Sequence, residues 1–306
     1  MTGQQLMSPP RGAARASQMD ALLDRLPRHS TPHGGTPHGG TPQGGAPRGA
    51  TTLLVASGRG GSGTSLVSAL LAVAAAGDGC RVLLIDADDF VGPLALTLGV
   101  QARASWQDLR GGRATPADVA TPVSTTLTLV AGGAPRLGSD GLVPSAAERR
   151  ACMRRLGVLA DGLDLVVIDC GARIDTVLAA ITPHADERLI AVSAGSDPVG
   201  LASTYALCKA VHTRHGALPI DVLVNRHEGS EAARCFDAID AGARQFLGSA
   251  LRLAGAVPSD PTLDAALRAG MPFPHAAAGS PAAIAAHEVV MRALATASLS
   301  RSGTGP

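Results

Sequence analysis

The feature that most limits what this chain can become is an alternation that begins at Thr51. Short runs of Val, Ile and Leu recur as "TTLLVAS", "RVLLID", "LTLVAG", "DLVVID", "RLIAVSA", "IDVLVN" and "LRLAGAVP". Between them lie helical patterns at about 64–77, 145–161, 174–182, 198–215, 230–247, 260–269 and 281–297. A strand that is apolar at nearly every position has both faces covered, and helices between such strands supply the crossovers of a parallel sheet. The pattern predicts an α/β fold: one doubly wound, mostly parallel sheet flanked by helices, spanning residues 51–297.

The flanks read differently. Residues 1–50 hold no sustained apolar period and carry the five-residue repeat of "TPHGGTPHGGTPQGGAPRG", in which Pro stiffens and Gly-Gly loosens the backbone, as in a flexible linker. A solvated tract is the expectation for its His33 and His38, rather than a metal site. Upstream, "SQMDALLDRL" (17–26) has the pattern of one short amphipathic helix that the linker would tether. Residues 298–306 read as a disordered tail.

Composition narrows the function. The five cysteines are odd in number, widely spaced and without a C-x-x-C pair, which predicts buried thiols. No apolar run of membrane-spanning length goes uninterrupted by polar or turn residues, and the N-terminus lacks a signal pattern, so a cytoplasmic protein is expected. Lys209 is the single lysine among 26 basic residues. An arginine standing where a motif wants lysine is therefore ordinary here, whereas a threonine in such a place is not. Five arginines against Asp20 and Asp24 in residues 1–50 leave the remainder slightly acidic, a poor footprint for DNA.

One strand runs straight into "SGRGGSGTS" (57–65) and then a helix. Helix N-termini at the carboxyl ends of parallel strands present unpaired N–H groups, and Gly58, Gly60, Gly61 and Gly63 let the backbone curl around a phosphate. Ser65 offers a hydroxyl of the kind that ligates magnesium, and three carboxylates stand at strand ends: Asp86 and Asp88 in "LLIDADD", and Asp169 after "DLVVI".

These residues, with stretches such as "LLIDADDFVGPLALTLGV", "DLVVIDCGARID" and "VLVNRHEGSEAARCF", resemble the MinD/ParA group of P-loop ATPases. The group's loop reads K-G-G-V-G-K-T; the same positions here hold Arg59, Gly60, Gly61, Ser62, Gly63, Thr64 and Ser65. Within the group the strongest likeness is to the FlhG/FleN regulators of flagellar number and placement, and it covers nearly all of 51–297. The resemblance implies an ATP or ADP cradle at Gly60–Ser65, and magnesium held by Ser65, Asp86 and Asp169, partly through water. It implies a water-orienting role for Asp88, and an adenine border at Asn225 and the "VPSD" turn with Pro258. Arg59 matches the signature lysine that, in the family, reaches the partner subunit's phosphates in a nucleotide-dependent homodimer.

Departures from the family pattern limit what carries over. Thr64 has no charge to place on the phosphates, Ser62 replaces the loop valine, and Pro93 and Ala95 replace an Asn and an Asp of the switch region. Loss of one preorganised donor to developing charge costs on the order of 10²–10³ in rate, so impaired hydrolysis with retained nucleotide binding is expected. Loops of the form R-G-G-x-G-T-[ST] also resemble BcsQ-like and TadZ/CpaE-like localisation factors of cellulose and pilus secretion; a genuine ATPase and a nucleotide-free scaffold that keeps the fold for its surface alone are the other readings. Residues 17–26 resemble, through Gln18 and Leu22, the element with which FlhG proteins engage an FlhF-like GTPase. For the final helix a packing role is expected rather than the family's membrane association, since Arg292 and Arg301 make up its whole cationic face.

Overall fold

The computed structural model describes residues 49–88, 92–133, 143–181 and 186–302, with residues 300–302 described by backbone alone. The 17–26 helix, the linker with His33 and His38, and residues 303–306 lie outside the described residues.

The chain enters through β1 (Thr51–Ser57), turns at the glycine loop and forms α1 (Thr64–Gly77), β2 (Val82–Asp86) and the short α2 (Pro93–Leu98). Two further short helices, α3 (Trp106–Arg110) and α4 (Pro116–Val119), lead to β3 (Ala120–Pro122) and β4 (Leu127–Val130). The regular alternation then resumes with α5 (Ala146–Leu156), β5 (Leu165–Gly171), α6 (Ile174–Ala180), β6 (Glu187–Ala194), α7 (Pro198–Arg214), β7 (Ile220–Asn225), α8 (Gly229–Leu247) and β8 (Arg252–Val257). The helices α9 (Pro261–Arg268), α10 (Phe273–Ala277) and α11 (Pro281–Ser302) follow.

The eight strands among the described residues form one sheet in the order β3-β4-β2-β5-β1-β6-β7-β8. Every pairing is parallel except β3 with β4. The expected doubly wound α/β sheet is therefore the fold. β1 lies between β5 and β6, near the middle of the sheet, and its residues divide between two cores. Leu53 and Val55 face a cluster containing residues of α1 and α11, while Leu54 and Ala56 face one containing residues of α3, α5, α6 and α7. Both faces of β1 are buried, which is why its sequence shows no polar alternation.

The predicted strands and long helices all appear; the misses are short. The helices α3 and α4 are too brief to display a helical period, yet each carries a capping box, Ser105 with Asp108 and Thr115 with Asp118. β3 is a three-residue antiparallel edge strand ending in Pro122, a residue with no N–H to give to another strand. At the other end, α11 continues to Ser302 rather than ending at 297, because no Gly or Pro interrupts it after Pro281. It buries Ala282, Ala286, Val289, Val290, Ala293 and Ala297. This helix is long and apolar enough to cross a membrane by composition, but a third of that stretch is buried inside the fold.

Candidate nucleotide site

Parallel pairing of β2, β5 and β1 brings their carboxyl ends together. Asp86 and Asp169 are direct register partners across β2 and β5, and Asp169 also pairs with Val55, two residues before the end of β1. The sheet thus sets two carboxylates side by side next to the glycine loop.

The loop is held from within. Gly61 and Gly63 take φ of 80° and 83°, left-handed values open to glycine at little cost. Ser57 Oγ and Ser62 Oγ both donate to the Arg59 carbonyl, at 2.8 and 3.0 Å. The Asn225 amide, from the end of β7, donates to the Ser62 carbonyl at 2.9 Å, and a Cβ on Gly63 would strike that same amide. Asn225 therefore acts on the loop itself, while Pro258 follows the β8 residue, Val257, that pairs with Asn225. A Cβ on Gly60 or Gly61 would meet nothing within 4 Å, so the outer rim of the turn is open.

Thr64 sits at the first position of α1, 6% exposed, and its hydroxyl donates to Ser57 Oγ at 3.0 Å. It belongs to the support beneath the loop, where a threonine hydroxyl is satisfied and brings no charge. Lys209 lies far along α7 on an exposed face, so it does not stand in.

Arg59 is turned onto its own chain. Its guanidinium forms a two-pronged pair with Asp197, at 3.1 and 2.7 Å, and a third bond to the Ala194 carbonyl at 3.2 Å. Asp197 also caps α7 by accepting from Gly200 N at 2.9 Å, and this backbone bond, followed by Arg59, holds its carboxyl below the usual range. A position expected to serve a neighbouring subunit is thus engaged within this one. The sequence signal for Asp197 was present in "SDP", an N-cap acid before a proline, but it announces a cap and not an arginine partner.

Burial pushes the Asp86 carboxyl up to about 7, against the N–H bonds from Leu94 and Asp88 and with the help of the Asp169 and Asp88 charges. Burial likewise raises Asp169 to about 6, opposed by the Ser65 hydroxyl and the Gly171 N–H. The enclosed Asp169 Oδ2 has no hydrogen-bond partner of good geometry. Two desolvated carboxylates, one with an orphaned oxygen, beside a serine hydroxyl fit a hard divalent cation. Among the described residues no three His, Cys, Asp or Glu side chains form a ligand cluster. Magnesium held here would complete its shell with Ser65, phosphate oxygens and water, which is its habit.

A family model described as CobQ/CobB/MinD/ParA nucleotide binding domain matches residues 53–273, most of the chain and the whole of this site. The chain belongs to that family. Among relatives of this MinD/ParA-type domain, the antiactivator FleN of Pseudomonas aeruginosa is 28% identical over 218 residues, 71% of this chain and 76% of FleN. An uncharacterized ATP-binding protein of Methanocaldococcus jannaschii is 26% identical over 79% of this chain and 87% of its own length. The septum site-determining protein MinD from Pyrococcus horikoshii, solved with Mg-ADP, superposes with a TM-score of 0.65 at 21% identity, covering 82% of this chain and 98% of that one. An aspartate-to-alanine variant of McdA from Cyanothece, solved as its complex with ATP, gives 0.62 at 22% identity over 80% and 96%. At these identities the two structures show the MinD/ParA fold alone.

Proposed function

We propose that this MinD/ParA-family chain is a FlhG/FleN-like regulator of flagellar assembly, number or placement that binds ATP or ADP with magnesium and hydrolyses ATP slowly or not at all. The observation that carries the reading is the loop: its cradle is built and braced, while Thr64 is buried against Ser57 where the family places a charged lysine. The likeness to FleN over three quarters of that protein's length supports the flagellar assignment.

In this reading the loop amides bind the phosphates, and Ser65, Asp86 and Asp169 hold magnesium. The metal supplies charge to offset that of the phosphates. Asp88 orients water, and Arg59 exchanges Asp197 for a partner subunit's phosphates if the homodimer forms. Partners are proteins, with residues 17–26 directed at an FlhF-like GTPase; the acidic balance of the domain argues against DNA. The folded unit is 51–297 with its helical extension, working in the cytoplasm and at the membrane or pole through those partners. The loop "RGGSGTS" favours a second reading, a BcsQ-like or TadZ/CpaE-like localisation factor.

Calorimetric titration with ATP and magnesium, paired with a phosphate-release assay, tests the biochemistry. Binding with little or no turnover is expected; absence of binding at millimolar nucleotide overturns the proposal. Thr64→Lys is expected to tighten binding. Deletion of the gene should change flagellar number or position, whereas normal flagella with altered pili or cellulose would select the second reading.

A further inference from the structure

Trp106 is the chain's single tryptophan, and only 1% of it is exposed. Its backbone is fixed on both sides. The Ser105–Asp108 capping box starts α3 at this residue, and Trp106 N donates to the Ala131 carbonyl at 3.1 Å. The ring packs in a cluster with Leu83, Ile85 and Ala87, and its Nε1–H donates to the Asp88 carbonyl at 3.3 Å. An indole N–H is a donor only, so a buried one keeps such an acceptor.

The same residue is held from its other end. Asp88 N donates to Asp86 Oδ1 at 3.1 Å, and Asp86 Oδ2 accepts from Leu94 N at 3.0 Å. A Cβ on Gly132, just beyond β4, would sit 2.7 Å from that same Asp86 Oδ1. Ala131 and Gly132 thereby join Trp106 and Asp86 into one packed block with the Asp88 peptide clamped inside it. Asp88 lies two residues beyond the end of β2, and its charge helps to raise both Asp86 and Asp169.

We propose that Trp106 is a positioning residue for Asp88: its indole N–H fixes the Asp88 carbonyl, so that the Asp88 carboxylate, which orients water in the reading above, also serves the magnesium-dependent share of nucleotide binding through the water that magnesium keeps. This rests on the nucleotide-binding reading above. It adds a residue outside the loop, and because the chain has no other tryptophan, the residue reports on itself.

The full chain is titrated with ADP in EDTA and with ADP plus magnesium, by calorimetry and by tryptophan emission in parallel. Magnesium with ADP should change the emission of Trp106, and ADP in EDTA should not. Trp106→Phe keeps the ring and deletes the donor; affinity for ADP with magnesium should fall about three- to tenfold while affinity in EDTA stays the same. Asp88→Asn, which keeps the clamped backbone, should produce a comparable loss, and the double variant should lose no more than the larger single one. A packing role alone would lower both affinities together or neither, and either result overturns the proposal, as does strict additivity in the double variant. Calorimetric binding with a silent tryptophan overturns it and leaves the nucleotide reading standing. No heat under either condition overturns both.

Discussion

At the scale of single residues, the candidate site is defined by charge that burial makes unwelcome. Asp86 has a folded-state pKa near 7 against an ordinary value of 3.8, so the folded chain retains a proton that the unfolded chain has released. Its contribution is favourable below about pH 4 and is lost as pH rises towards about 7. Without magnesium, stability should therefore carry a downward slope over that window. Asp86→Asn should reduce the slope, read from urea midpoints at a series of pH values, and leave the share contributed by Asp169 and Asp221, which burial also raises to about 6. Magnesium needs the ionised form, so its stabilisation of the wild-type chain should be greater at pH 8 than near pH 5, and chelation should remove it. The residue types of the candidate site were legible beforehand: glycines, Ser65 and acids at strand ends point to phosphate and metal chemistry. Contacts that join distant segments were not legible. Arg59 meets Asp197 across 138 residues, and Asn225 reaches Ser62 across 163. No local pattern encodes an approach that the strand order alone creates.

At the scale of elements, the long ones followed from their apolar period, whereas α3, α4 and β3 depended on caps and an edge position that a period cannot signal. The tightest joint between elements lies where β1 leaves the sheet. A Cβ added to Gly58 would overlap the Ser203 carbonyl in α7, which is backbone and cannot rotate aside. Gly58→Ala should destabilise the fold by about 3 kcal/mol, the upper part of the overpacking range. Gly60→Ala, facing open space, should cost little. Thermal melts of the two variants separate a joint built for close approach from a turn that merely needs room.

At the scale of the whole molecule, α11 closes the structure by lying on α1 and β8 together. Ala286 is fully buried in that seam, while Ile284 on the same helix is 56% exposed. Ala286→Asp should lower stability by about 3 kcal/mol or more, because a lone carboxylate there has no counter-charge; Ile284→Asp should leave the urea midpoint nearly unchanged. Equal tolerance at both positions would mean the helix is not a core element. The same seam has a consequence for synthesis. α1 leaves the ribosome early, directly behind the glycine loop, but the helix that covers its outer side comes more than two hundred residues later. At about 5–20 residues per second that interval lasts roughly 10–45 s. Until α11 has emerged, the nascent chain carries its phosphate loop on a helix with an uncovered apolar flank, and a chaperone would find its binding surface there.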